Sequence, residues 1–356
     1  MSLHAGSTTL STDPRFPVND RLNRQWTLAR RPKGPVQPED FSLVEVPVPA
    51  LGDGEVLVRN LYLSCDPTQR GWMAGPTYLP AIRIGEVIRA FAGGTVAESR
   101  HPDFKPGQLV TGLFGWQEVA VVRPGTPSSP ARVPAGVPLE TALSILGLTG
   151  ITAYFGLLEV GRPRAGETVV VSGAAGATGS VVGQLARLSG CRVVGVAGGP
   201  EKCRVLTEEL GFDAALDYRG GDLAARLGAL CPGGVDVFFD NVGGPILDAA
   251  LEHLALRGRV VLCGAISRYN DAGPSPGPAN YLNLLVRRGR MEGFIVLDYL
   301  PRAAEAVKAL AGWLREGKLK DRVDIQEGFE QAPAALGRLF TGENRGKQLV
   351  RIAAAP

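Results

Sequence analysis

The amino-acid sequence predicts an α/β protein of two domains, in which a β-barrel precedes a doubly wound parallel sheet. The chain of 356 residues is longer than one small hydrophobic core usually accommodates. Residues 25–132 contain short, β-branched and partly alternating runs that Pro and Gly separate. After Pro138, strand-like and helical runs alternate, which is typical of a parallel sheet with helices on both faces.

The first domain is predicted to cover residues 21–140, after a loose tail at residues 1–20 that is rich in Ser, Thr and Pro. Its strands are expected where short runs are enriched in β-branched residues and bounded by turn residues. The predicted strands are residues 41–46, 55–59, 84–88 and 118–122. A further strand at 348–352 follows the last long helix, so residues 323–356 are expected to return to this domain.

The second domain is predicted to cover residues 141–322, where strands and helices alternate. The predicted strands are residues 168–172, 192–197, 235–240 and 259–263, and helices are expected to begin near Thr178, Pro200 and Pro245. Residues 141–158 are uncharged and just long enough to span a bilayer. Their Thr, Ser, Gly and Tyr content, between Glu140 and Glu159, instead predicts a buried helix at the domain junction.

A glycine-rich turn follows the first strand of the second domain. Gly173, Gly176 and Gly179 lie where the chain must turn tightly, where phosphate oxygens could approach backbone N–H groups, and where a helix packs on the sheet. Glycine-rich turns after strands are common in proteins that bind no nucleotide. Here, however, strand, turn, apolar helix and second strand occur in order, so we predict a dinucleotide site.

The end of the second strand, at Gly198 and Gly199, indicates which dinucleotide is bound. NAD-binding enzymes place an Asp or Glu near this point to accept a hydrogen bond from the ribose 2′-hydroxyl, and no acid is present. Lys202 follows shortly afterwards and could pair with a 2′-phosphate. The alternative is that Lys202 is only a surface lysine at the start of a helix. We predict NADP(H).

Composition excludes several other classes of protein. A net charge of +3 gives little reason to expect a nucleic-acid partner. The five cysteines have no CxxC spacing, which argues against a zinc knuckle or a disulfide framework and favours a reducing compartment, the cytoplasm. The three histidines have no serine or carboxylate at catalytic spacing. No signal peptide or membrane span is expected.

Seven segments of the sequence occur together in one order. They read LYLSCDP at 61–67, LTGITAYFGL at 148–157, VSGAAGATG at 171–179, FDNVGG at 239–244, CGAISRYN at 263–270, MEGF at 291–294 and GENRGK at 342–347. In these segments the chain resembles the zinc-independent medium-chain dehydrogenase/reductase family, in the branch of the prostaglandin reductases (leukotriene B4 dehydrogenases) and bacterial curcumin reductases. The resemblance extends from about residue 23 to 352 and is closer to the curcumin-reductase branch through GLFGWQE at 112–118.

The resemblance implies a GroES-like β-barrel catalytic domain, a Rossmann nucleotide-binding domain and a homodimer. It implies NADPH-dependent reduction of the carbon–carbon double bond of α,β-unsaturated ketones or aldehydes, without zinc. It also assigns Ala175 to Thr178, hence Ala177, to the pyrophosphate, and Lys202 and Tyr218 to the adenosine side. The residues implied for the nicotinamide half are Asn241, Cys263, Gly264, Ala265, Ile266, Ser267, Tyr269, Phe294, Ile295, Val296 and Asn344. By resemblance, Tyr269 is the candidate catalytic residue, hydrogen-bonded to the substrate carbonyl.

One segment departs from the family pattern. Many relatives read Asp-Pro-Tyr-Met-Arg where this chain has Thr68 and Gln69 between Pro67 and Arg70, which changes the expected wall of the substrate pocket. Asp66 and Arg70 are interpreted as a local ion pair at a turn.

Other functions remain open at this stage. A zinc-dependent alcohol dehydrogenase is disfavoured because the barrel segment contains only Cys65 and His101 as Cys or His ligands. An NADPH:quinone reductase would share the scaffold and the cofactor. A non-catalytic protein that binds NADPH as a sensor is a third alternative, which the complete nicotinamide-side segments disfavour.

Overall fold

The strands of both domains form where apolar, β-branched residues alternate between the two faces of a sheet or are buried on both. The computed structural model describes residues 22–271, 273 and 276–353, and the tail predicted at 1–20 lies outside this range. Its strands are β1 (Leu22–Leu28), β2 (Phe41–Pro47), β3 (Val56–Ser64), β4 (Ala92–Ser99), β5 (Leu109–Gly112), β6 (Val119–Val122), β7 (Ala131–Arg132), β8 (Thr168–Ser172), β9 (Arg192–Ala197), β10 (Ala214–Asp217), β11 (Val235–Asp240), β12 (Leu254–Leu262), β13 (Arg290–Gly293), β14 (Val323–Glu327) and β15 (Lys347–Arg351).

Helices connect these strands and cover the second sheet. The α-helices are α1 (Thr68–Ala74), α2 (Leu139–Leu143), α3 (Leu148–Phe155), α4 (Ala177–Leu188), α5 (Pro200–Arg204), α6 (Leu223–Leu230), α7 (Gly244–Glu252), α8 (Leu282–Arg287), α9 (Ala303–Arg315) and α10 (Ala332–Thr341). α3 and α5 continue as π-helical segments, Gly156–Gly161 and Val205–Glu209. Within the described ranges, no helix is long and apolar enough to cross a membrane.

The barrel is a seven-stranded sheet in the order β14-β15-β3-β4-β5-β7, with β6 also paired to β3, beside the antiparallel pair β1 and β2. Its core contains fully buried Trp116, Met73 and Phe329. The C-terminal strand β15 pairs antiparallel with β3. Residues 347–351 therefore lie in the same sheet as strands β3 to β7.

The second sheet is parallel throughout its six strands, in the order β10-β9-β8-β11-β12-β13. Residues of β8 alternate between its two faces: Val169 and Val171 belong to one apolar core, and Val170 belongs to the other. Helices cover both faces, as a doubly wound sheet requires. The predicted fold class, a GroES-like barrel followed by a Rossmann domain, is confirmed.

The strand predicted at residues 84–88 is wrong. This segment is a turn in which Gly85 has φ +82° and Glu86 N–H donates to Arg83 O, and Val87 makes only an isolated bridge with Thr27. Its β-branched residues indicated a strand, but no neighbouring strand continues the pairing. Strand β12 begins at Leu254 rather than at 259. Strand β13 was not predicted, because its sequence Arg-Met-Glu-Gly has no β-branched residue.

Candidate active site

A cleft of about 740 Å³ lies between the two domains, at the carboxyl ends of the parallel strands. The barrel forms one wall, which includes Thr68, Trp72 and Tyr78, and the Rossmann domain forms the facing wall. Doubly wound sheets bind ligands in this crevice, where the strand order reverses. The order reverses here between β8 and β11. The fold therefore favours a dinucleotide at this position.

The cofactor residues predicted from the sequence line this cleft, with one exception. The lining includes Gly173, Ala175, Gly176, Ala177, Thr178, Gly179, Lys202, Tyr218, Asn241, Cys263, Gly264, Ile266, Ser267, Tyr269, Phe294, Ile295, Val296 and Asn344. Ala265 lies instead on an adjoining cavity of about 710 Å³, because the chain turns there into a short 3-10 helix, Ile266–Arg268. Its backbone N–H nevertheless donates to Tyr269 Oη at 3.2 Å.

The glycine-rich turn forms a cradle for an anion at the start of α4. Gly173 has φ +57°, and a Cβ on Gly179 would lie 2.4 Å from Gly173 O, so only glycine allows α4 to pack so closely on the turn. Gly176 is the N-cap and provides no side-chain cap. The first N–H groups of α4 therefore have no partner within the helix, and its dipole favours a negative charge there. The site fits a pyrophosphate.

The outer end of the cleft is basic and partly exposed. Lys202 Nζ donates to Gly342 O at 2.8 Å, and burial, together with the charges of Arg219 and Arg345, lowers the pKa of Lys202. The ring of Tyr218 is 42% exposed and Arg219 Cζ lies 5.7 Å from its centroid. This end of the cleft can receive a dianionic group without a repelling carboxylate from the end of β9.

The two glycines at the end of β9 are favoured by the Tyr218 ring beside Gly198 and by the backbone conformation of Gly199. A Cβ on Gly198 would lie 2.9 Å from Tyr218 Oη, and Gly199 has φ +93°. The nearest acid, Asp217, accepts hydrogen bonds from the backbone N–H groups of Gly199 and Arg219 at 2.9 and 3.0 Å, which lower its pKa. Asp217 therefore organises the loop beneath the predicted ribose site.

The inner end of the cleft contains neutral donors. Burial raises the pKa of Tyr269 by more than the hydrogen bond from the Ala265 N–H to its hydroxyl lowers it, so the phenol keeps its proton. Within the described residues that hydroxyl donates to no protein acceptor. Across the cleft, Tyr78 Oη lies 2.8 Å from Thr68 Oγ1, and burial raises the pKa of Tyr78. Burial also raises the pKa of the Cys263 thiol to about 12.

A buried network holds Asn241 at this inner end. Asp240 is fully buried and its Oδ1 accepts hydrogen bonds from Ser172 Oγ and from the backbone N–H groups of Val242 and Gly243. Asn241 Nδ2 donates to Ser172 O at 2.7 Å. The ends of the adjacent strands β8 and β11 are thereby joined, and the turn that lines the cleft is fixed.

A largely buried ion pair lies in the barrel, at the wall that faces the cleft. Lys347 Nζ lies 2.5 Å from Asp66 Oδ1 and also donates to Cys65 O, and only 3% of the Lys347 side chain is exposed. Asp66 and Lys347 both line the cleft. The next residue, Gly346, forms an isolated bridge with Gly176 of the phosphate turn. The C-terminal segment thus contacts both the barrel and the predicted pyrophosphate site.

The interpretation of Asp66 and Arg70 as a local ion pair is wrong. Arg70 donates to the carbonyl oxygens of Gly34 and Pro32, whereas the charged partner of Asp66 is Lys347. The helical turn that follows Asp66 carries the Arg70 side chain toward the N-terminal loop, so residues four apart in sequence do not meet.

Sequence reasoning missed several residues of the cleft. Trp72 and Tyr78 of the barrel, Arg219 at the outer end and Lys347 at the junction all line it. Two signals in the sequence could have identified two of these residues. Lys347 ends the GENRGK segment, and Arg219 follows the predicted cofactor residue Tyr218. Nothing local in the sequence singled out Trp72 or Tyr78.

Metal ligands do not gather in the described part of the chain. Among residues 22–271, 273 and 276–353, no group of three or more His, Cys, Asp or Glu side chains has a geometry that could hold a metal ion.

Comparison with known proteins places this geometry in a family. The model described as an N-terminal domain of oxidoreductase matches residues 24–129, and the one described as zinc-binding dehydrogenase matches 177–312. The chain is 43% identical to the NADPH-dependent curcumin reductase of Escherichia coli, over 93% of this chain and 97% of that protein. It is 42% identical to an NADP(+)-dependent 2-alkenal reductase of Nicotiana tabacum, over 85% and 88%.

A solved structure agrees with these sequence matches over nearly the whole chain. CurA of Vibrio vulnificus in complex with NADPH superimposes with a TM-score of 0.87 at 38% identity, covering 93% of this chain and 99% of that one. The shared fold therefore covers both domains. The chain belongs to the medium-chain dehydrogenase/reductase family, in the branch that contains the curcumin and prostaglandin reductases.

Proposed function

We propose that the protein is an NADPH-dependent reductase of α,β-unsaturated ketones and aldehydes that acts on the carbon–carbon double bond. The relatives named for NADPH, curcumin and 2-alkenals support this reaction and this cofactor. The observation that carries the proposal is the Tyr269 phenol, which is half-buried at the inner end, accepts the Ala265 N–H and retains a proton for a ligand. A carbonyl oxygen is the acceptor that such a donor favours.

The reaction requires little of the protein beyond positioning and hydrogen bonding. Bound NADPH would supply the hydride that adds to the β-carbon. Tyr269 Oη then donates to the carbonyl oxygen as negative charge develops there, and this interaction is stronger in the enolate than in the ground state. The raised pKa of Tyr269 keeps the phenol a donor rather than a phenolate. The α-carbon is protonated from solvent.

The other residues of the cleft orient the two ligands and exclude water. The turn at the start of α4 binds the pyrophosphate through backbone N–H groups, and Lys202 and Tyr218 bind the adenosine side. Phe294 and Trp72 provide apolar surface beside the reacting centre. The neutral thiol of Cys263, with its pKa raised to about 12, is poorly reactive toward an electrophilic enone.

We also propose a homodimer formed through the edge of the Rossmann sheet. Strand β13 is the last strand of that sheet and pairs on one side only. The adjacent helix α8 exposes the apolar side chains of Leu282, Leu285 and Val286 to 59%, 75% and 65%. Pairing with a second copy would continue the sheet and bury these side chains. Light scattering of the purified chain should give the mass of two copies.

The remaining attributes rest on composition and chemistry. The described cysteines are unpaired, which suits a reducing compartment, and we propose the cytoplasm. We propose that the substrate is a small molecule and that neither nucleic acid nor membrane is a partner. The reaction as written uses a phenol in place of a Lewis acid, so we propose that it is zinc-independent.

The test is NADPH oxidation against a panel of enones, enals and quinones. We expect turnover of enones and enals, with the saturated carbonyl compound as product. Preferential turnover of quinones without reduction of any enone would favour an NADPH:quinone reductase. A large thermal shift with NADPH, but no oxidation across the panel, would favour a non-catalytic binding protein.

A further inference from the structure

The guanidinium of Arg219 lies at the outer end of the cleft, where no sequence motif assigned it a role. We infer that Arg219 is a second cation for the 2′-phosphate of NADPH and that it acts with Lys202 to discriminate against NADH. The inference rests on the proposed cofactor. It concerns a residue of this chain that the resemblance did not assign to the cofactor.

The position of Arg219 matches this role. It lines the cleft next to Tyr218, and its Cζ lies 5.7 Å from the centroid of the Tyr218 ring. A Cβ on Gly342 would lie 3.6 Å from Arg219 Nη2, and Lys202 Nζ donates to the carbonyl of the same Gly342. The two cations therefore both lie close to Gly342, and a Cβ on Gly199, which follows β9, would lie 3.9 Å from Arg219 Nη1.

The neighbouring arginines are already paired with carboxylates. Arg345 pairs with Glu201 at 2.9 Å, and Arg338 pairs with Asp324 at 3.0 Å. For Arg219, no carboxylate among the described residues forms an ion pair with the guanidinium. Asp217 is adjacent but binds the Arg219 backbone N–H. This contact fixes the backbone from which the Arg219 side chain extends, and leaves its guanidinium for a ligand.

The charges at this end also explain why two cations are needed. The Lys202 ammonium donates one hydrogen bond to Gly342 O. Burial lowers the pKa of Lys202, and the positive charge of Arg219 lowers it further. A phosphate placed between the two cations would relieve this repulsion, and the planar guanidinium could bind two of its oxygens. NADH would leave the repulsion in place. Arg219 therefore adds to the preference for the phosphorylated cofactor.

The experiment compares Arg219→Gln with Arg345→Gln in the full chain. Calorimetric titration with 2′,5′-ADP and with 5′-AMP measures binding without any turnover. We expect Arg219→Gln to weaken 2′,5′-ADP binding about 10- to 100-fold, the effect of losing a hydrogen bond to a charged group, and 5′-AMP binding by less than about twofold. Arg345→Gln, which removes an equal charge nearby, should change both by less than about threefold. The melting temperature without ligand should stay the same in both variants, since both side chains are exposed.

Three outcomes would overturn the inference. Equal losses for 2′,5′-ADP and 5′-AMP in Arg219→Gln would mean that Arg219 supports Tyr218 rather than the phosphate. An Arg345→Gln effect as large as that of Arg219→Gln would indicate a diffuse positive field rather than a contact. Retention of the wild-type preference in Arg219→Gln would assign discrimination to Lys202 alone. If wild type itself does not prefer 2′,5′-ADP, the proposed cofactor specificity fails instead.

Discussion

The two ends of the cleft differ in the charge of the side chains that line them. At the inner end, Tyr269 and Cys263 are partly buried and neutral, and burial raises the pKa of each. At the outer end, Lys202 and Arg219 are cations near solvent. Charge that develops only during a reaction is stabilised best by oriented dipoles in an enclosed site. A permanent charge on a ligand is instead recognised by fixed opposite charges.

The comparison predicts that the two ends respond to different perturbations. Interactions between exposed charges weaken as the ionic strength rises. A hydrogen bond in an enclosed site is weakened by salt to a much smaller extent. Substitutions at the inner end should therefore lower turnover, and those at the outer end should lower cofactor affinity.

Lys347 is a cation, like the side chains at the outer end of the cleft, but its side chain is only 3% exposed. Lys347→Met should destabilise the protein by about 3–5 kcal/mol, because the Asp66 carboxylate, which is only 18% exposed, would lose its charged partner. Urea unfolding followed by fluorescence measures the effect. The control is Lys318→Met, which removes an exposed ion pair with Glu316 and should cost less than about 1 kcal/mol. Equal destabilisation in the two variants would contradict the importance of burial here.

Tyr269→Phe tests the inner end. Turnover of an enone should fall by roughly ten- to a thousandfold, the range for removing one donor to an oxyanion, while the Kd for NADPH stays nearly constant. Stopped-flow hydride transfer and calorimetry provide the two measurements. The control is Tyr281→Phe, which alters an exposed ring outside both cavities. It should leave the turnover rate and the Kd for NADPH unchanged. A normal rate in Tyr269→Phe would mean that another group holds the carbonyl.

Lys202→Ala tests the outer end. It should weaken NADPH binding by about 1.5–3 kcal/mol, the net value of a hydrogen bond to a charged group, and hardly alter NADH binding. The ratio of kcat/KM for the two cofactors gives the result, and raising the salt concentration should reduce the difference. Gly198→Asp is a poorer test, because its side chain would displace the Tyr218 ring. Equal losses for NADH and NADPH in Lys202→Ala would show that Lys202 is a surface lysine.

Removal of metal ions by a chelator should have the smallest effect on activity. If a neutral phenol replaces a Lewis acid at the inner end, EDTA should leave kcat unchanged, and elemental analysis should find no stoichiometric zinc. Activity that EDTA abolishes and zinc specifically restores would refute this view of the inner end and the proposed mechanism with it.

Local patterns predicted the fold class and the phosphate turn. Strands 168–172, 192–197 and 235–240 have the bounds predicted for them, because each is an apolar run with turn residues at both ends. The glycines of the phosphate turn were recognisable because a tight turn and a close helix contact exclude a Cβ. Segment 84–88 failed because β-branched residues form a strand only where a neighbour pairs with them.

The sequence by itself determined the two-domain α/β architecture and the glycine-rich turn, since these follow from periodicity and from a motif within one short segment. The other predicted residues of the dinucleotide site followed from the family resemblance and stay predictions. Tertiary structure alone decided which distant residues meet. Lys347 and Asp66 are 281 positions apart in the chain, and Arg219 reaches Gly342 only because the C-terminal segment folds back against the Rossmann domain. Tyr78 lines the cleft from the opposite domain. Such contacts depend on how complete domains pack together, and no local pattern encodes that packing.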